Sequence, residues 1–179
     1  MSEWFDINGT AMIYIRDSKL IRNSKTIKEA NHKINKECKN IIKVFKNILQ
    51  ELTKQNPEIF DEISFEGFYP LGLDIRCFQN HAHGPAISLD NIENGEQIII
   101  HNTATLTING TIDTEDYEEY KQLFIDAFKQ LTKEYPVFRL NLVTMWEGCQ
   151  DAIIYVHNES YHETDEFYKI VTIPLVRND

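Results

Sequence analysis

Between Thr26 and Gln55 the chain carries one uninterrupted helical pattern, and a helix that long dictates what must surround it. Thr26 with Glu29 three residues later forms a capping box, and apolar residues recur at Ile27, Ala30, Ile34, Cys38, Ile41, Phe45, Ile48 and Leu52 in steps of three and four. Such a stripe has to be buried against a sheet or another helix. The opposite face bears Lys28, Lys36, Lys39, Lys43 and Lys46 and reads as a solvated surface. The series Ile34, Cys38, Ile41, Phe45, Ile48, Leu52 also fits a short heptad seam, through which the helix could pair with a second copy.

Around this helix the signals are those of strands. Asn8-Gly9-Thr10 reads as a turn leading into a strand over residues 11–16. After Pro57 a short helical turn is predicted to Ile63. Leu73, Ile75 and Cys77 then alternate with Asp74 and Arg76 as in a half-buried strand. Residues 86–92 and 97–101 flank Asn94-Gly95 and predict a hairpin, and residues 104–108 extend the sheet. A second helix opens at Asp113 or Thr114, with Glu115, Asp116, Glu118 and Glu119 in its first turn. It buries Tyr117, Tyr120, Phe124, Phe128 and Leu131 and stops at Pro136. Strands over 137–145, 152–157 and 167–176 complete the chain, with a turn at Glu147-Gly148.

This order predicts an α+β fold: a mainly antiparallel sheet of about six strands, one long N-terminal amphipathic helix and a second helix packed on it. Nothing in the composition divides residues 1–179 into more than one domain.

Charge is divided unevenly along the chain. Residues 1–54 carry 11 Lys/Arg against 6 Asp/Glu, and the remainder carries 7 against 22, which together give the net −10. From Asn56 to Tyr120 the only basic side chain is Arg76, against thirteen carboxylates. A body this acidic repels phosphates, which argues against nucleic acid as a partner. No apolar run approaches the length of a membrane span, and no secretory leader pattern opens the sequence, so a cytoplasmic protein is expected. Three cysteines without a Cys-x-x-Cys pair predict reduced, structural thiols.

Two local constellations could carry chemistry. His81 and His83, two residues apart, could hold a transition metal with a carboxylate such as Asp74 or Asp90. The pair resembles the His-x-His of cupins, but the Glu and the flanking glycines of that family are absent. His101-Asn102-Thr103 and His162-Glu163-Thr164 are each a His-x-Thr, which resembles the duplicated element of two-histidine phosphoesterases. That resemblance implies an acid and a base in His101 and His162, with the hydroxyls of Thr103 and Thr164 on a phosphate. The second copy departs from the family where Thr164 is followed by Asp165 and Glu166. No Gly-x-Ser-x-Gly, Walker A or Gly-x-Gly-x-x-Gly sequence occurs, and seven glycines leave little to build a nucleotide cradle.

The acidic stretch therefore carries the main expectation: a non-enzymatic, cofactor-free binding protein of the immunity or antitoxin type, which occludes a basic partner such as a toxin nuclease. Glu58, Asp61, Glu62, Glu66, Asp74 and Asp90 would face the partner's Lys and Arg, with Phe68, Tyr69 and Phe78 as anchors. The alternatives are a small hydrolase, built on His101, Thr103, His162 and Thr164 or on a metal at His81 and His83, and an adaptor assembling through the long helix.

Overall fold

A computed structural model describes residues 4–15, 21–60, 63–65, 72–80, 86–89, 98–114, 116–146, 149–156 and 169–172. Along the chain run β1 (Trp4–Tyr14), α1 (Ile27–Gln55), β2 (Gly72–Gln79), β3 (Ala86–Leu89), β4 (Ile98–His101), β5 (Thr103–Asp113), α2 (Tyr117–Glu134), β6 (Val137–Trp146), β7 (Cys149–Val156) and β8 (Lys169–Thr172). Six strands form one sheet in the order β2-β5-β1-β6-β7-β8, and β3 with β4 forms a separate hairpin.

Every described pairing is antiparallel except β7 with β8, which run parallel. The architecture is thus α+β, with a mostly antiparallel sheet and two helices. Taken without the inserted hairpin, β1-α1-β2-β5-α2-β6 with sheet order β2-β5-β1-β6 is a split βαβ, or ferredoxin-like, arrangement. The long helix follows a strand and does not begin the fold. β1 is also longer than the sequence pattern predicts, because Asn8-Gly9 lies inside the strand. The stretch after Pro57 is a turn, in which the N–H groups of Ile59 and Phe60 both donate to the carbonyl of Asn56.

Helix α1 starts where the capping pattern places it. The N–H of Glu29 donates to Thr26 Oγ1 at 3.1 Å. Its buried stripe is Ala30, Ile34, Cys38, Ile41, Phe45, Leu49 and Thr53. The apolar series of the sequence drifts off this line at both ends, since Ile27 is exposed and Ile48 and Leu52 are only half-buried. A straight helix with 3.6 residues per turn shifts a strict heptad stripe sideways in this way. The stripe packs on the sheet of its own chain, so it is not open as a pairing seam. The five lysines expected on the far face are exposed except Lys46, which lies half-buried over the Phe65 ring at 5.1 Å.

Helix α2 buries every residue expected of it, from Tyr117 to Leu131. It begins three residues later than the acidic run implies. Thr114 Oγ1 accepts from the N–H of Asp116 at 2.8 Å, a local turn that delays the first helical residue. The two helices meet through Phe45 and Phe128, with ring centroids 4.9 Å apart. Phe5 from β1 stacks on Phe124 and tilts against Tyr117 and Tyr120. Both helices therefore cover one side of the sheet, and the core lies between them and the odd-numbered residues of β1 and β2 with the even-numbered ones of β5 and β6.

Candidate functional site

Because a strand turns alternate side chains to opposite faces, covering one face with helices leaves the other with a defined set of residues. On β1 the buried Phe5, Ile7, Ala11 and Ile13 face the helices, and Asp6, Asn8, Thr10 and Met12 face away. On β5, Ala104, Leu106, Ile108 and Ile112 are buried, and Thr105, Thr107, Asn109 and Thr111 face away. The same alternation puts Asp74, Arg76 and Phe78 of β2, and Arg139, Asn141, Val143 and Met145 of β6, on that open face.

The register aligns these residues into tiers across four strands. Asp74, Asn109, Asn8 and Val143 form one tier. Arg76, Thr107, Thr10 and Asn141 form the next, and Phe78, Thr105, Met12 and Arg139 the third. The first two tiers line a shallow depression of about 620 Å³, with Phe78 at its border.

Its floor is set by a glycine. A Cβ on Gly9 would stand 2.5 Å from Leu142 Cδ1 and 2.9 Å from the carbonyl oxygen of Asn141, so only glycine lets β6 lie this close to β1. Gly110 plays the same part against the carbonyl of Gly72 on β2.

Polar groups converge on the depression in both senses. Arg76 Nε is 2.8 Å from Asp74 Oδ2, and the Arg76 side chain remains 65% exposed. The guanidinium keeps its terminal NH₂ groups for a further acceptor. Asn8, Asn109 and Asn141 are exposed, and no side-chain hydrogen bond occupies their amides among the described residues. Phe78 is half exposed and offers a flat apolar surface beside them.

The ends of the face are tied down. Thr111 Oγ1 donates to Asp6 Oδ1 at 2.6 Å on one side. On the other, Asn80 Nδ2 donates to Thr103 Oγ1 at 3.1 Å while Thr105 Oγ1 donates to Asn80 Oδ1 at 2.5 Å. Tyr14 and Phe138 pack there as well, their centroids 4.5 Å apart.

Of the residues singled out from the sequence, Asp74 and Phe78 belong to this face. Glu58 lies elsewhere, exposed in the turn after α1 that leads to Phe60, whose ring meets Tyr120 edge-on at 5.0 Å. Thr103 is fully buried, with its hydroxyl engaged by Asn80. His101 is half-buried at the end of β4, opposite Ala86, and its carbonyl accepts from Gln79 Nε2 at 3.5 Å. Asp61, Glu62, Glu66, Phe68, Tyr69, His81, His83, Asp90, His162 and Thr164 lie outside the described residues. No group of three or more His, Cys, Asp or Glu suited to a metal occurs among the described residues.

The asparagines and threonines of the open face were not singled out from sequence. Their signal is present: Thr103, Thr105, Thr107, Asn109 and Thr111 alternate with Ala104, Leu106, Ile108 and Ile112. A strand so regularly polar on one side keeps that side uncovered by helices.

No protein-family model matches the chain, and no curated protein matches it. A solved structure similar to it is a phage SAM lyase in complex with S-methyl-5'-thioadenosine, with a TM-score of 0.33 and 10% identity, covering 92% of this chain and 93% of that one. The immunity-type inhibitor expected from charge does not hold against the geometry. The described carboxylates of the acidic stretch are not gathered on one face. Asp74 is neutralised by Arg76 on the open face, Glu58 sits beyond α1, and Glu118 at the start of α2 pairs with Lys121 at 2.5 Å. Among the described helices none is long and apolar enough to cross a membrane.

Proposed function

We propose that the protein binds a small polar molecule on the open face of its sheet, and that the ligand combines an anionic group, a flat ring and several hydroxyl or amide groups. The observation that carries this reading is the register. It stacks Arg76, Thr107, Thr10 and Asn141 beside Asp74, Asn109 and Asn8 in one shallow depression. Amides supply both donors and acceptors, hydroxyls supply either, and the Arg76 fork suits a carboxylate or phosphate. Phe78 supports the ring. Asp74 holds the guanidinium in place and discourages ligands of high negative charge, as does the net −10 of the whole chain.

A panel of nucleoside monophosphates, aromatic amino acids and sugar phosphates, titrated into isotope-labelled protein, tests the proposal by backbone amide shifts. Perturbations confined to β1, β2, β5 and β6, weakened at least tenfold by Arg76→Gln, are expected for one class. If no class perturbs these strands at millimolar concentration, or if the shifts map to the helices, the reading fails.

A further inference from the structure

Cys38 and Cys77 come from different elements and meet inside the molecule. Cys38 belongs to the buried stripe of α1, and Cys77 lies on the helix-facing side of β2, opposite Leu106 of β5 and packed against the core. Their thiols are hydrogen-bonded to one another. Cys38 is 3% exposed, whereas Cys77 is only partly covered, so the pair is reached from the β2 side. Among the described strands β2 lies at the edge of the six-stranded sheet.

We propose that Cys38 and Cys77 form a redox-responsive dithiol, which hydrogen peroxide converts to a disulfide clamping α1 onto the edge strand. The Cys38 thiolate attacks one oxygen of the peroxide and breaks the O–O bond. Hydroxide leaves and takes up a proton as water, and Cys38 becomes a sulfenic acid. The Cys77 sulfur then attacks the Cys38 sulfur; hydroxide departs with the Cys77 proton as a second water. Two thiols are oxidised by two electrons, and one peroxide is reduced to two waters. The hydrogen bond from Cys77 holds the Cys38 thiol below its ordinary range against the opposing effects of burial and the nearby Glu37, and the same contact with burial pushes Cys77 up. The balance is the same whichever of the two sulfurs attacks the peroxide first.

Bond formation requires the sulfurs to close from hydrogen-bond contact to about 2.05 Å, a small movement for a strand at the edge of the described sheet. The clamp would act on β2, whose other face carries Asp74, Arg76 and Phe78. It does not depend on what that face binds.

The test uses the full chain with Cys149→Ser, which leaves only the two thiols concerned. Peroxide should remove both titratable thiols, lower the intact mass by two hydrogens and yield a crosslinked peptide joining residues 38 and 77 within one chain. Dithiothreitol should restore both thiols. The oxidised form should melt roughly 5 to 10 °C higher, with slowed amide exchange along β2. In Cys149→Ser/Cys77→Ser, Cys38 should stop at the sulfenic or sulfinic stage. Retention of both thiols at a peroxide concentration that oxidises free cysteine would overturn the proposal, as would a crosslink found only between chains.

Discussion

Asn8 on β1 stands directly opposite Asn109 on β5, so two exposed amides project side by side from the middle of the open face. Neither supports the core. Replacing both with Ala should leave stability within about 0.5 kcal/mol of the parent, because neither amide has a side-chain hydrogen bond among the described residues to lose. The same double variant should weaken any ligand of the depression by tenfold or more. Urea unfolding and the amide-shift titration, run on one sample, separate the two effects.

Gly9 should tolerate almost nothing larger than hydrogen. In Gly9→Ala the new methyl meets Leu142 Cδ1, which can turn aside, and the Asn141 carbonyl oxygen, which is fixed in the β1-β6 ladder. A loss of about 1 to 3 kcal/mol is expected. A midpoint of urea unfolding equal to that of the parent would show that β6 can move away without cost.

That glycine also shows how far the fold could be followed from the sequence alone. Asn8-Gly9 carries the same short turn signal as Asn94-Gly95, yet it lies in mid-strand, because the reason for the glycine is a neighbour more than a hundred residues away. Local features were legible for the converse reason. The stripe from Ala30 to Phe45, the cap at Thr26 and the hairpin of β3 and β4 depend on residues close in sequence. The candidate site needs β2, β5, β1 and β6 to be neighbours in that order, and the choice of neighbours is made by long-range pairing. Charge alone gathers Asp74 and Phe78 into an acidic surface and leaves Arg76 between them as an exception, whereas in the structure Arg76 bonds Asp74.

Tyr117 and Thr144 join the first turn of α2 to β6 through a buried hydroxyl pair 3.0 Å apart. Tyr117→Phe should cost about 1 kcal/mol or somewhat more, since the Thr144 hydroxyl loses that partner in a site closed to water. Thr144→Val should cost a similar amount. The double variant should cost less than the sum by about 0.5 to 1.5 kcal/mol. Strict additivity in the double-mutant cycle would mean that the two hydroxyls contribute independently.

The cap of α1 makes a prediction about acid. Glu29 Oε1 lies 2.7 Å from Lys33 Nζ, and its other oxygen accepts from the N–H of Lys25 at 2.9 Å, one residue before the Thr26 position that a reciprocal capping box would use. The Lys33 ammonium first, and then the Lys25 amide, hold the Glu29 carboxyl below its ordinary range. A carboxyl depressed on folding contributes its stability above the unfolded-state value and loses it as pH falls through the lower folded value. The contribution is therefore fully present at neutral pH, and its loss appears on the acid limb of a pH-stability curve. Carboxyl NMR titration should find Glu29 below the other exposed glutamates, and Lys33→Met should return it most of the way. Thr26→Ala removes the hydroxyl that accepts from Glu29 N–H and should cost about 1 kcal/mol at every pH. If Thr26→Ala instead proved harmless at every pH, the helix start would depend on the ion pair and not on the cap.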